Sequence, residues 1–380
     1  MMHVFFNSYS RFLFLAIYIF INSLFVLKYG IRQNITSQYT LLMIYILMVS
    51  SGLYILDRFK DYIQKIKDFN RYFLGVCSLI FAAFILINIA IDGNALNADR
   101  WSALDISIKS ILNLEYPYDK FDHMNGTSSN LPTLIYVGIP FYVLGDVGFL
   151  QVFIFAVLIF TVFHLKFSSY QKTVFLFLLL LSPAYFWELF GKSDLMSNSF
   201  IVVIFMLVWN HKFQSNYFEK PLLLAFFIGA LLLTRAVLVI PLIVFLFYEF
   251  IRATYKTKIT FVVGVMVSVL FLSIPILISL PSKEIILRHN PINNQTMHSP
   301  FWVMLLSIFL PFFFSLKHQN FKRKIEISIG ILFLMFFYLF VVNAIEEGFD
   351  RNLYLTLFDI SYFGILIPFL LFYFVENSKQ

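Results

Sequence analysis

Charged side chains are scarce in this 380-residue chain, so the places where they recur bound its chemistry. The first is Asn97-Ala98-Asp99-Arg100-Trp101, followed by Asp105. A carboxylate at a partly desolvated edge has a raised pKa and can act as a general base. The same run reads equally as an ordinary acidic loop. A second group follows Ser182-Pro183: Tyr185, Trp187, Glu188, Gly191, Lys192 and Asp194. It is either a functional turn or a plain hairpin between helices. Arg235 lies in an otherwise nearly all-apolar run from Pro221 to Phe250. Its planar guanidinium fork suits a phosphate or diphosphate, unless a nearby acid pairs with it. Arg288, His289 and His298, and Arg351 after Glu346, Glu347 and Asp350, could also bind phosphate or sugar, or be solvated loop residues. Tyr116-Pro117-Tyr118 makes a rigid aromatic turn, and Asn130-Leu131-Pro132 turns into a short apolar helix. The histidines lack metal-ligand spacing. No P-loop, dinucleotide fingerprint, zinc helix motif or nucleophile elbow is present.

These residues must be carried by elements suited to lipid. The composition is 60% apolar and 13% charged, whereas a water-soluble surface needs roughly 25% charged residues. Apolar runs of the ~20 residues that cross a bilayer recur along the chain. The many Phe and Ile residues favour strands locally, but open sheets cannot satisfy their backbone in lipid, so the runs are expected to be helices. The expected fold is all-α: a polytopic membrane helix bundle of about twelve transmembrane helices, forming one domain. The spans fall near 12–29, 39–56, 72–91, 147–165, 173–190, 195–210, 221–234, 236–251, 259–280, 300–316, 325–344 and 353–375. Arg235 then lies at the tip of two short spans, avoiding the ~2.5–3.5 kcal/mol cost of a charge at the bilayer centre.

Basic clusters at Arg58–Arg71 and Lys317–Lys324 place those loops, and both termini, in the cytoplasm. The net charge of +7 is explained by this bias, without nucleic acid. Segment 92–146 is then a large first outer loop. Within it, Leu131–Gly145 is too short for a span and fits a short amphipathic or re-entrant helix. Segment 281–299 is a second, polar outer loop. The lone Cys77 forms no internal disulfide.

The order of these features resembles the GT-C superfamily of membrane glycosyltransferases over roughly residues 72–375. It resembles most the mannosyltransferase-like and bacterial polyprenyl-phosphate-sugar branches. The resemblance rests on an outer acid after an early helix, the Pro117-Tyr118 turn, and Pro132 before a short helix. It continues in the Ser182-Pro183 helix ending in Gly191-x-x-Asp194, in Arg235 within paired short spans, and in Arg351 opening the last span. It implies a bacterial cytoplasmic-membrane enzyme that moves a sugar from a polyprenyl-phosphate donor to a glycan or glycolipid acceptor at the outer face. In this family an acidic motif, often Asp-x-Asp, activates the acceptor or binds a divalent metal. Here the first acid is Asn97, so the weight falls on Asp99, with Asp105 and Asp194 as further acids. The resemblance makes Asp99 the base and sets Arg235, with Arg288 or Arg351, against the leaving lipid phosphate. Tyr116, Tyr118 and Trp187 would pack against the sugar. The hairpin of the first two spans departs from the family pattern. A flippase for lipid-linked glycans would show pseudo-symmetric halves, and no repeat is visible. A polysaccharide polymerase would favour a late outer loop rich in Arg and His, which 281–299 matches weakly.

Overall fold

The computed structural model describes residues 9–33, 35–296 and 299–377, so His298 lies outside the described residues. Helices account for nearly all regular structure among them, and the one β-bridge joins Phe121 to Thr127. In chain order they begin with α1 (Tyr9–Gly30), α2 (Gln38–Arg58), α3 (Lys60–Lys65), α4 (Phe69–Ala90), α5 (Arg100–Leu112) and α6 (Pro132–Val143). Next come α7 (Phe149–His164), α8 (Ser169–Leu180), α9 (Pro183–Phe190), α10 (Leu195–Phe213), α11 (Pro221–Leu232), α12 (Val239–Arg252) and α13 (Tyr255–Ile278). The chain closes with α14 (Lys283–Arg288), α15 (Pro291–Gln295), α16 (Phe301–Phe314), α17 (Phe321–Glu347), α18 (Phe349–Tyr354) and α19 (Leu366–Asn377).

Among the described residues, seven helical segments are long and apolar enough to cross a membrane: α1, α2, α4, α10, α13, α17 and the final stretch Ile360–Asn377. An eighth arises if α8 and α9, which meet at 63°, form one bent span. The other expected spans coincide with helices of 16, 12, 14 and 14 residues: α7, α11, α12 and α16. Segment 92–146 contains α5 and α6, and 281–299 contains α14 and α15 rather than irregular chain.

Local chemistry explains the ends. Proline occupies the first turn of α6, α9, α11 and α15, where its missing N–H costs nothing. Ser168 and Gln171 form a reciprocal capping box on α8. The α8–α9 break is repaired from α1. Asn22 is fully buried there, and its Oδ1 accepts from Ser182 Oγ at 2.8 Å and from Ala184 N at 3.1 Å. Its own Nδ2 donates to Tyr18 O, while Tyr18 OH donates to Leu178 O. In a bilayer such side chains re-satisfy the backbone that Pro183 interrupts.

The connections sort into two ends. At one, Asn294 reaches Thr127, Gln295 reaches Ser129, Thr133 N donates to Leu233 O, and Gln38 meets Tyr354. At the other, Arg11 donates to Asn377 O, Lys172 to Asn70, and Lys324 to Phe245 O. The segments expected outside therefore meet one another, as do those expected inside. Helix α19 is enclosed by protein at the centre of the bundle, whereas α13 is largely exposed at its periphery.

Candidate functional site

The site is built around Arg100, the first residue of α5. That helix starts here because Asp99 O accepts from Ala103 N at 2.8 Å and from Ser102 Oγ at 2.9 Å. Arg100 Nη2 donates to Asp359 Oδ2 at 2.5 Å and to Ser361 Oγ at 3.1 Å. The guanidinium carbon lies 5.6 Å from the centre of the Tyr362 ring. Asp359 is positioned by its own turn, its Oδ1 accepting from Ser361 N. Burial alone would push the Asp359 carboxyl up. The Arg100 charge and the Ser361 hydrogen bonds outweigh it and hold the group below its ordinary range.

Beside this pair lies a deeper one. Asp194 and Arg235 are 1% and 4% exposed. Arg235 donates to Asp194 Oδ2 from Nε (3.1 Å) and Nη2 (2.5 Å), to Ser129 Oγ from Nη1, and to Asn130 Oδ1 from Nη2. Arg235, expected to grip a lipid phosphate, therefore has each guanidinium nitrogen engaged by protein. The turn that delivers Asp194 is braced too. Lys192, with φ +47°, bonds Asp146, which also accepts from Trp101 Nε1 at 2.8 Å. Glu188 accepts from Ser197 N and so holds the start of α10. Arg100 feels the Asp194 charge and Tyr362 feels both arginines, so the two ion pairs form one centre.

Asp99 stands exposed at the mouth of this centre. His123 pins its segment, with Nε2 2.8 Å from Leu96 O and Nδ1 2.5 Å from Ser102 Oγ. Desolvation by the surrounding loops, then the carboxylates of Asp122 and Asp359, push the Asp99 carboxyl up against the pull of Arg100. That is the electrostatic condition a general base needs.

Next to Asp99 opens a groove of about 520 Å³, walled by Phe25 and Tyr29 of α1, by Phe186 and Trp187 of α9, and by Asn97. Arg32 lines it and stacks 4.8 Å from the centre of the Tyr29 ring. Lys28 and Tyr29 lie within electrostatic reach of Asp359, which ties this wall to the centre.

The other expected site residues are dispersed. Asp105 faces Asp146 and Lys109, and burial followed by the Asp146 charge pushes its carboxyl up. Tyr116 and Tyr118 are buried edge-to-face against each other, with centroids 5.2 Å apart, and are not among the groove's lining residues. Arg288 is exposed on α14. Arg351 is exposed and paired at 3.0 Å with Glu347, one turn away. In their place the fold supplies Arg32, Lys28, Arg100 and Asp359. A signal for the first two was available: two cations one helical turn apart at the expected outer end of a span run against the positive-inside bias.

A divalent cation at Asn97–Asp99 does not fit: the segment offers one carboxylate with a guanidinium beside it. Among the described residues no group of three or more His, Cys, Asp and Glu side chains could hold a metal ion. No family model, no curated protein and no solved structure matches this chain.

Proposed function

We propose that this protein is a membrane glycosyltransferase that takes a sugar from a polyprenyl-phosphate donor at the outer face of a bacterial cytoplasmic membrane. In this reading the chain crosses twelve times, with both termini in the cytoplasm. The short helices α7, α11, α12 and α16 serve as crossings where the protein or a thinned bilayer shortens the path. The observation that carries it is that Asp99, with its pKa pushed up, directly follows Asn97 and Ala98, which line an aromatic groove together with Arg32. Acid, cation and apolar channel match the acceptor hydroxyl, the phosphate and the prenyl chain of one reaction.

Asp99 takes the proton of the acceptor hydroxyl. The acceptor oxygen bonds to the anomeric carbon as the bond from that carbon to the phosphate oxygen breaks. Polyprenyl phosphate leaves carrying the electron pair. Arg32 meets its charge, since a guanidinium binds phosphate in bidentate fashion. Trp187 and Tyr29 offer ring faces to the sugar. In-line placement of both reactants supplies much of the rate, which is why the site is braced through Lys192, Asp146 and His123. The acceptor is a glycan or glycolipid of the cell envelope. A flippase would be expected to gather its polar groups near the midplane. Here the ion pairs of Arg100 and Arg235 collect at one end of the bundle.

The test is incubation of purified protein in nanodiscs with a panel of polyprenyl-phosphate radiolabelled sugars and an envelope lipid extract. Labelled product and free polyprenyl phosphate are expected in equal amounts with one donor. Folded protein that turns over none of the panel would overturn the reading.

A further inference from the structure

A second groove flanks the same charged centre. It holds about 290 Å³ and is enclosed by Tyr362, the start of α12, the first half of α16 and the middle of α17. Its walls include Val239, Val303, Met304, Met335 and Leu339. Its inner end is Tyr362, over which Arg100 lies, and Ala236, the residue after Arg235. The aromatic groove is lined by Asn97 and Ala98, three and two residues before Arg100. Two grooves are thus lined by neighbours of one set of ion pairs.

The lining of the second channel decides what it can hold. Apart from Tyr362, its polar members are hydrogen-bonded to the protein itself. Gln295 Nε2 donates to Ser129 O, and its Oε1 accepts from Ala236 N. Thr296, Ser299 and Ser307 donate to the backbone carbonyls of Asn293, Thr296 and Met304. Away from Tyr362, a sugar chain laid there would find few free donors for its hydroxyl oxygens and would lose most of its hydration without replacement. Hydrocarbon has no such demand, and burying it is favourable in proportion to area. Outside the channel, α16 exposes Phe301, Trp302 and Leu306, a face suited to lipid tails. No Lys or Arg lines it, unlike the channel with Arg32, so the occupant brings no phosphate along its length.

We infer that the second groove seats the hydrocarbon chain of the acceptor, which is itself a glycolipid, so that both substrates and the product stay anchored in the membrane. This rests on the transferase reading for the word acceptor, but not for the occupant. The glycolipid's head group lies at Tyr362, and its reacting hydroxyl reaches past Arg100 to Asp99.

The probe is an alkyl glucoside bearing a diazirine near the end of its chain, photolysed with the full-length protein in nanodiscs. Crosslinks are expected in the peptides containing Val303–Ile308 and Met335–Leu339. Ser307→Trp, which fills the channel, should cut that labelling roughly tenfold and raise the KM for a lipid acceptor by a similar factor. Hydrolysis of the donor by water should stay within about twofold, because the aromatic groove is untouched. Labelling of the wild-type protein needs no variant to fold, and labelling confined to the outer faces of α13 or α16 overturns the inference. Efficient transfer to a water-soluble oligosaccharide, unaffected by Ser307→Trp, overturns it as well while leaving the transferase reading intact. Absence of turnover with every donor, with the crosslinks present, sinks the transferase reading and leaves the lipid site standing.

Discussion

Asp99 and Arg235 carry opposite lessons about single residues. Asp99 is exposed, near two other carboxylates, and its carboxyl is pushed up. If it is the base, it works only when ionised. Transfer should therefore fall as pH drops through a value above the ordinary aspartate range near ~3.9. Asp99→Asn should abolish that limb and lower kcat by roughly 10²–10⁴-fold. A folded Asp99→Asn protein with the wild-type pH profile would remove it from the role. Arg235 is a buried partner of Asp194, and removing one member of such a pair costs ~3–5 kcal/mol because the other is left charged and alone. Arg235→Ala should therefore lower the thermal unfolding midpoint in detergent together with activity. Arg32→Gln should leave the midpoint in place and raise the KM for the donor. The sequence made both Asp99 and Arg235 stand out, because charges in apolar runs are visible. It could not show that Arg235 belongs to Asp194, or that Arg100 belongs to Asp359, 259 positions away. Ion pairs have no periodicity to betray them.

At the scale of elements, the break at Ser182-Pro183 was legible, since proline cannot continue the backbone ladder. Its repair was not. Asn22 looks like an incidental polar residue in an apolar helix, yet it supplies the acceptor for both Ser182 and Ala184. Asn22→Leu leaves those groups orphaned in a buried place, at a cost of ~1–3 kcal/mol. The measurable outcome is a lower unfolding midpoint with loss of the aromatic groove, because α1 and α9 form its two walls. Asn22→Asp, which keeps the acceptor oxygen, should recover more of both than Asn22→Leu. In the proposed reading the hairpin of α1 and α2, which departs from the pattern of the family resembled, takes part in the site: α1 carries Lys28 and Tyr29, and Arg32 follows just after its end. Helix lengths were less legible than helix existence. The run from Pro221 to Phe250 does divide at Arg235, where its one basic residue put the turn, but its halves form helices of only 12 and 14 residues.

For the whole molecule, the pattern of loops gives the strongest test of orientation. Basic clusters at Arg58–Arg71 and Lys317–Lys324 predict one side, and the ion pairs around Arg100 gather at the opposite end of the bundle. In the proposed reading, the cost of translocating clustered Lys and Arg puts the Arg100 end outside. Cys77 is the lone cysteine and is buried, so replacing it with alanine gives a background for labelling. On that background Lys283→Cys should react with a membrane-impermeant maleimide added to intact cells, and Lys317→Cys should react only after the cells are opened. Both positions are exposed, so access is limited by the membrane and not by the fold. Reaction of both from outside would mean an even number of crossings between α14 and the start of α17. That outcome would make α16, only 14 residues long, an interfacial helix rather than a span. The reverse pattern, with Lys317→Cys outside, would put Asp99 and its grooves in the cytoplasm. There a nucleotide sugar, not a lipid-borne one, would be the natural donor, so the same two cysteines decide the compartment from which the substrate must come.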